Sequence, residues 1–160
     1  GEVAATFYYA GHGASTTTQN ETYLLPVSIR QATTAQIETQ GVSVGQIVGG
    51  LSKAGARRLV VVIDACRDVL EMADGEYRGF HVLNWRSSAF DIVAYATMWG
   101  EKARDNGVYA RTLAETIRAT PGADIADVLN RVQTVVSDAT REDQVPQYND
   151  RMPGVFAIRN

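Results

Sequence analysis

The chain has 160 residues, enough for one domain with a sizeable core, and its 45% apolar and 21% charged fractions are those of a globular protein. Its net charge of −3 provides no basic surface for nucleic acid or an anionic membrane, so we expect neither as a partner. No apolar run is long enough to span a bilayer. A single cysteine is typical of a reducing compartment, and we expect a cytoplasmic location.

The first half of the chain predicts two buried strands separated by shorter elements. Residues 3–10 and 59–65 are nearly continuous apolar runs, as in parallel strands covered on both faces. Residues 11–16 are predicted to form a loop. Residues 23–29 are predicted to form a short strand or hairpin, followed by a Ser-Thr-Gln-rich connection that ends at Gln40. Ser43 is a candidate N-cap for a helix over residues 44–54, which Gly55 would end.

The second half of the chain predicts one more strand, two helices and a last strand. Residues 69–90 follow no clear period and predict a long loop. A strand over residues 91–97 precedes a helix over residues 109–119, and a second helix runs from Ile125 to about Ala139. A final strand is predicted over residues 154–158. Together these elements predict the α/β class, with a mostly parallel sheet flanked by helices.

A reactive side chain follows each of the two central apolar runs. His12 lies between two glycines after the first run, and Cys66, the only cysteine, follows the second. Because the carboxyl ends of neighbouring parallel strands open onto one crevice, the two side chains suggest a thiol nucleophile and its base. Two structural alternatives stay open: a buried core cysteine, and a histidine that caps an element or is satisfied in the core.

The two segments that carry these side chains resemble the caspase-like cysteine peptidases. They are Tyr-Tyr-Ala-Gly-His-Gly at residues 8–13 and Asp-Ala-Cys-Arg-Asp at residues 64–68. The resemblance is closest to bacterial caspase homologues, with metacaspases and paracaspases as relatives. It extends over nearly the whole chain through shorter segments at residues 23–26, 95–97, 106–109 and 144–147. It implies a caspase-like three-layer sandwich, the caspase-haemoglobinase fold, acting on a peptide or protein substrate.

The resemblance also implies a role for each catalytic residue. Cys66 would be the nucleophile and His12 the base and proton donor of a His-Cys dyad. The backbone N–H groups of Gly13 and Cys66 would form the oxyanion hole, where negative charge develops on the substrate carbonyl. An alternative for Gly13 is a glycine that only forms a turn.

Asp64 is the candidate specificity residue. It precedes Cys66 by two positions on the same predicted strand, so both side chains are expected on one face. The resemblance places Gln at the position of Asp64 in caspases that cleave after aspartate, and Asp at this position in metacaspases. A carboxylate there favours Arg or Lys at P1, the substrate residue before the cleaved bond, and repels an acidic one. An Asp that caps a turn at the strand end is the structural alternative.

The segment 69–90 is expected to act as the inter-subunit linker that caspases carry at this place. With a basic P1 preference, Arg78 and Arg86 become candidate self-cleavage sites. Arg67 is expected to brace loops, and Asp68 either lines the acidic pocket or is a solvated charge. We also expect the domain to begin upstream of residue 1. An amino-terminal segment, a companion chain or a homo-oligomer would then cover the first strand, whose apolar edge would otherwise invite aggregation.

No cofactor is expected. Acidic residues loosely clustered in sequence leave calcium as an alternative, although their spacing is not that of an ordered calcium loop: Glu71, Asp74, Glu76 and Asp91. A zinc site built from His12, Cys66 and His81 would have too few ligands. Three other functions stay open: a non-catalytic caspase-like interaction module, an aspartate-specific peptidase, and a nucleotide-binding domain that uses residues 11–13 but lacks the third glycine.

Overall fold

A six-stranded mixed sheet forms the centre of the molecule. The computed structural model describes residues 3–16, 21–29, 33–66, 70–71, 77–78, 90–98 and 107–157. In chain order the strands are β1 (Val3–Thr16), β2 (Glu21–Leu25), β3 (Val42–Ser43), β4 (Ala56–Cys66), β5 (Leu70–Glu71), β6 (Tyr77–Arg78), β7 (Phe90–Tyr95) and β8 (Gln147–Asp150). The large sheet has the order β3-β2-β1-β4-β7-β8, and β5 and β6 form a separate antiparallel pair.

Parallel pairing joins the three central strands of this sheet. β1 and β7 each pair in parallel with β4, while β2, β3 and β8 extend the sheet by antiparallel pairing. The central strands are therefore parallel, as predicted, and the antiparallel pairs lie toward the two edges. Since parallel strands begin at one edge of a sheet and end at the other, the carboxyl ends of β1, β4 and β7 lie together.

Helices cover both faces of the sheet. They are α1 (Thr34–Gln40), α2 (Val44–Lys53), α3 (Val108–Ala119) and α4 (Ile125–Thr140). One core cluster joins even-numbered strand positions such as Val60 and Val62 to the apolar residues of α3 and α4. The other joins Leu59, Val61 and Ile63 to the α2 residues Val44 and Val48. Because successive side chains of β4 point to opposite faces of the sheet, they contribute to two separate buried layers. The fold is therefore the predicted three-layer α/β sandwich.

The principal helices and central strands confirm the sequence predictions. Ser43 is the N-cap of α2 and accepts a hydrogen bond from the N–H of Gln46 at 3.0 Å. The helices over residues 109–119 and 125–139 are present as α3 and α4, with bounds that differ by one residue. Within the described residues, no helix is both long and apolar enough to cross a membrane.

Two predictions for the first half of the chain are wrong. Residues 11–16, predicted as a loop, continue β1, because residues 11 and 12 pair with β4 and residues 12–16 pair with β2. The connection that was predicted to end at Gln40 contains α1. This helix begins with a capping box, in which Thr33 accepts from the N–H of Gln36 at 3.2 Å and the Gln36 side chain accepts from the N–H of Thr33 at 3.2 Å.

The prediction of the last strand is also wrong. The final strand of the sheet is β8, and of residues 154–157 only Ala157 forms an isolated bridge, with Asp124. Within the predicted loop 69–90, the pairs Leu70–Glu71 and Tyr77–Arg78 form β5 and β6, and Phe90 begins β7. The remaining residues of that segment lie outside the described part of the chain, so its role as a linker stays a prediction.

Candidate active site

His12 lies where β1 changes its pairing partner. The parallel ladder between β1 and β4 runs from Val3 to His12, and the antiparallel ladder between β1 and β2 begins at His12 and runs to Thr16. His12 is exposed, and the residues after it are buried in the hairpin with β2. His12 therefore lies where β1 leaves β4 and begins to pair with β2. In α/β sheets, ligands commonly bind at such switch points.

Cys66 is the register partner of His12. It is the last residue of β4, and its Cα pairs with the Cα of His12 at the end of the parallel ladder. Two strand positions that are paired in this way are neighbours across the sheet, with strands about 4.8 Å apart. The two residues are 54 positions apart in the chain, and the register of β1 and β4 brings their backbones together as the sequence predicted.

Tyr9 holds the backbone of His12 in place. Its hydroxyl lies 2.8 Å from the carbonyl oxygen of His12 and 3.2 Å from that of Leu25, so one phenolic proton is shared between β1 and β2. Gly11 makes room for this contact. A Cβ atom added at Gly11 would lie 2.5 Å from the Tyr9 hydroxyl oxygen and 2.8 Å from its Cζ. The glycine before His12 thus allows the tyrosine ring to cross the strand.

The hairpin beyond His12 is closed by a buried polar pair. Ser15 and Thr22 are register partners in β1 and β2, and their hydroxyl oxygens lie 2.9 Å apart. Gly13, the residue expected to contribute to the oxyanion hole, is buried in the same ladder opposite Leu24. The sequence predicted a loop at this position, but Gly13 directly follows His12 in a paired strand. The pairing with β2 therefore holds the backbone of Gly13 next to that of His12.

Asp64 is half-buried on β4, two residues before Cys66. Its register partner is Ala10, which is small and exposed, so β1 places no large side chain directly opposite the carboxyl group. The hydroxyl of Tyr8 donates a hydrogen bond to Oδ2 of Asp64 at 2.8 Å. Burial raises the pKa of the Asp64 carboxyl, and the hydrogen bond from Tyr8 acts in the opposite direction. A partly dehydrated carboxyl beside an open position is suited to bind a cation.

Tyr109 borders the same region from the first turn of α3. It is 2% exposed, and its hydroxyl has no hydrogen-bond partner within the described residues. Burial raises the pKa of Tyr109, and the charges of Asp64 and Tyr8 raise it further. Tyr8 thus contacts the Asp64 carboxyl group directly, whereas Tyr109 is linked to it only by charge.

The structure places one of the other basic and acidic candidate residues. Arg78 lies in β6, while Arg86, Arg67 and Asp68 fall outside the described residues. In the part of the chain that the structure describes, no group of three or more His, Cys, Asp or Glu side chains is placed to hold a metal ion.

Asp91, one of the acids considered for calcium, lies at the opposite end of the central strands, where it pairs with Leu59 in register. It is 1% exposed and is bound by Arg151 through contacts of 2.9 and 2.7 Å. The carboxylate of Asp91 is therefore engaged by a cation of the chain itself. Asp74 and Glu76 lie outside the described residues, and calcium binding stays untested.

The sequence analysis did not single out Tyr8 or Tyr9 as functional residues. Both are aromatic residues within an apolar run, and that pattern by itself indicates core packing. The available signal was that each carries a terminal hydroxyl within four residues of His12, since buried or half-buried phenols usually find a hydrogen-bond partner.

The architecture and the paired strand ends define an α/β protein with a candidate catalytic edge. The model of the caspase domain family matches residues 1–156, and the chain belongs to this family. The family is one of cysteine peptidases, which are hydrolases. The predicted caspase-like fold is confirmed.

A structural relative and a search of curated proteins complete the comparison. The chain is similar to the crystal structure of caspase-1 from Spodoptera frugiperda, with 13% identity and a TM-score of 0.46. The alignment covers 71% of this chain and 69% of that one. No curated protein matches this chain.

Proposed function

We propose that the chain is a cysteine endopeptidase in which Cys66 is the nucleophile and His12 the proton-transfer group. The observation that carries this proposal is the register of β1 and β4, in which these two residues are paired at the end of the ladder. A thiol requires ionisation to act as a nucleophile, and an imidazole on the neighbouring strand provides a proton acceptor and later a donor.

The reaction would proceed through an acylated Cys66. The thiolate attacks the carbonyl carbon of the substrate, and the carbonyl electron pair moves to oxygen as the C–S bond forms. Backbone N–H groups of Gly13 and Cys66 are proposed to stabilise that oxyanion. Collapse of the intermediate breaks the C–N bond while His12 protonates the departing amine. Water then attacks the thioester, His12 accepts its proton, and the C–S bond breaks to restore the thiolate.

Asp64 is proposed to select Arg or Lys at P1. Its carboxyl group lies two residues before the nucleophile, is half-buried, and faces the open position at Ala10. A guanidinium or ammonium that enters there would form a charge-assisted hydrogen bond in a partly dehydrated setting. An aspartate at P1 would place two carboxylates together, and such a substrate should be cleaved poorly.

The test compares fluorogenic peptides that differ only at P1, with purified wild-type, Cys66→Ala and His12→Ala proteins. The wild type should cleave after Arg or Lys. Cys66→Ala should lose about three or more decades of kcat, the scale expected when a nucleophile is removed. Near-wild-type turnover by Cys66→Ala would contradict the mechanism. Faster cleavage after Asp than after Arg would favour an aspartate-specific peptidase. If the wild-type thiol reacts with no peptidyl electrophile, a non-catalytic interaction module becomes the better account.

Self-processing is proposed at Arg78 or Arg86. A basic residue within a segment that caspase-like enzymes use as a linker would be a substrate for the same specificity pocket. Mass spectrometry of incubated protein should show fragments that end at one of these arginines in the wild type and not in Cys66→Ala. Intact wild-type protein under conditions where it cleaves peptides would refute self-processing.

A partner segment is proposed for the side of β1 that faces away from β4. Residues 3–11 pair with β4 but not with β2, and within this stretch Val3 is 56% and Tyr8 45% exposed. An amino-terminal segment, a companion chain or a second copy would pair with the backbone groups that no described strand pairs there. Analytical ultracentrifugation should detect self-association that Thr6→Lys, a charge on this exposed strand, weakens. A monomer at all concentrations would exclude the second copy.

A further inference from the structure

The hydrogen bond between Tyr8 and Asp64 crosses two strands diagonally. Tyr8 is the register partner of Val62, and Asp64 is the partner of Ala10, so the phenol reaches two residues along β4 toward the carboxyl end of the sheet. It closes on Oδ2 of Asp64 at 2.8 Å. A carboxylate at position 8 would repel Asp64.

The contact uses one carboxylate oxygen. Within the described residues, Oδ2 accepts from Tyr8, and no hydrogen bond to Oδ1 is present. Ala10, opposite Asp64, is exposed and has only a methyl group. Among the described residues, the second oxygen of the carboxylate is therefore left without a hydrogen bond, and its register partner on β1 is small.

Among the described residues, the ionisable group that acts on this carboxyl is Tyr8 from β1. Tyr8 donates to the charged form and therefore favours it, whereas burial disfavours it. Without the Tyr8 hydroxyl, the partly dehydrated Asp64 would lose the donor that favours its ionised form and holds its carboxyl group.

We infer that Tyr8 is a positioning residue for specificity, whose hydroxyl holds Oδ2 of Asp64 so that Oδ1 is presented to the cationic P1 side chain. The inference rests on the proposed assignment of Asp64 to the P1 pocket. The sequence pattern predicts Tyr8 to be a core residue, and the inference assigns it a role in substrate specificity. Tyr8 touches the specificity carboxylate and not the reacting atoms, so its loss should affect discrimination between P1 side chains more than the chemical step.

The test uses two peptides that differ at P1 by arginine or its neutral isostere citrulline, with wild type, Tyr8→Phe, Asp64→Asn and the double variant. Tyr8→Phe should lower the arginine-to-citrulline ratio of kcat/KM by about 3- to 10-fold, less than the usual value of a hydrogen bond to a charged group, because water reaches the exposed Tyr8. The change should appear in KM for arginine, with cleavage after citrulline unchanged. In the Asp64→Asn background, Tyr8→Phe should add little, since coupled residues are not additive.

Tyr148→Phe is the matched control. It removes a phenolic hydroxyl from β8, which is separated from β4 by β7, and it should leave the ratio as in wild type. An unchanged ratio in Tyr8→Phe, or a loss that is fully additive with Asp64→Asn, would overturn the inference. Thermal unfolding of each variant shows whether a loss reflects misfolding.

A second measurement separates this inference from the proposed function. Carboxyl-carbon NMR titration of Asp64 requires no substrate, and Tyr8→Phe should raise the apparent pKa of Asp64 relative to wild type and Tyr148→Phe. If the wild type cleaves neither peptide, the proposed function fails, while a raised pKa in Tyr8→Phe still supports the pairing. An unchanged titration would refute the role of Tyr8 whatever the enzyme cleaves.

Discussion

Asp64→Asn should reduce activity and at the same time preserve or improve stability. Burial raises the pKa of this carboxyl above its value in an unfolded chain. The native state therefore binds the proton more tightly than the unfolded state does. The stability that this provides is complete below the unfolded pKa and is lost as the pH rises through the folded pKa. At pH 7.5 the ionised carboxylate is therefore a cost to the native protein.

Asparagine removes that cost and keeps the contact with Tyr8. Its side-chain oxygen can accept the hydrogen bond that Tyr8 now donates to Oδ2 at 2.8 Å. The free energy of unfolding of Asp64→Asn at pH 7.5 should equal or exceed that of wild type, and its decrease between pH 4 and 7.5 should be smaller. Denaturant unfolding at several pH values measures both quantities.

The activity should change in the opposite sense. Loss of a charge-assisted hydrogen bond to a P1 guanidinium costs about 1.5–3 kcal/mol, or about one to two decades in kcat/KM. The rate at which a small alkylating agent modifies Cys66 should stay within a factor of about 3 of wild type, since that reaction needs no P1 contact. A less stable Asp64→Asn protein with unchanged P1 preference would refute the reasoning and favour an aspartate that caps the strand end.

Three further substitutions test how the fold supports the site. Tyr9→Phe removes the hydroxyl that donates to the His12 carbonyl, and it should lower the free energy of unfolding by about 1 kcal/mol. It should also lower kcat more than it changes KM, and an unchanged kcat would contradict a positioning role. Tyr109→Phe removes a buried hydroxyl without a described partner, and should raise the unfolding free energy by about 1 kcal/mol; destabilisation would indicate a partner. Arg151→Met removes the two side-chain hydrogen bonds that this arginine donates to the buried Asp91 carboxylate, and chemical denaturation should show a loss of about 1.5–3 kcal/mol. A loss under 1 kcal/mol would contradict a stabilising role of this pair.

The sequence predicted the elements whose pattern is local. The apolar runs of β1 and β4 and the helical spacing of α4 are each legible within a dozen residues, and these elements formed as expected. The helix α1 was missed because its Ser-Thr-Gln-rich surroundings suggested a loop, although the capping box at Thr33 was present in the sequence. The strand β8 was missed because three of its four residues are polar and only Tyr148 packs on the core, as is common in edge strands.

The parts of the site that depend on register could not be predicted. Residues 13–16 form a strand because β2 provides a pairing partner from a later part of the chain. The neighbourhood of His12 and Cys66 followed from the general behaviour of parallel strand ends, but the contact between Tyr8 and Asp64 depends on an exact diagonal across two strands. No local pattern encodes a diagonal contact, and a shift of the register would remove it.

The central claim is that Cys66 and His12 form a catalytic pair, and covalent labelling with a peptidyl-arginine electrophile tests it most directly. Intact-protein and peptide mass spectrometry should find one adduct per chain on Cys66 in the wild type. The labelling rate should fall by two or more decades in His12→Ala, in line with the contribution of a general base. Labelling of wild type no faster than of a free thiol in a denatured chain, or equal rates in wild type and His12→Ala, would contradict the account.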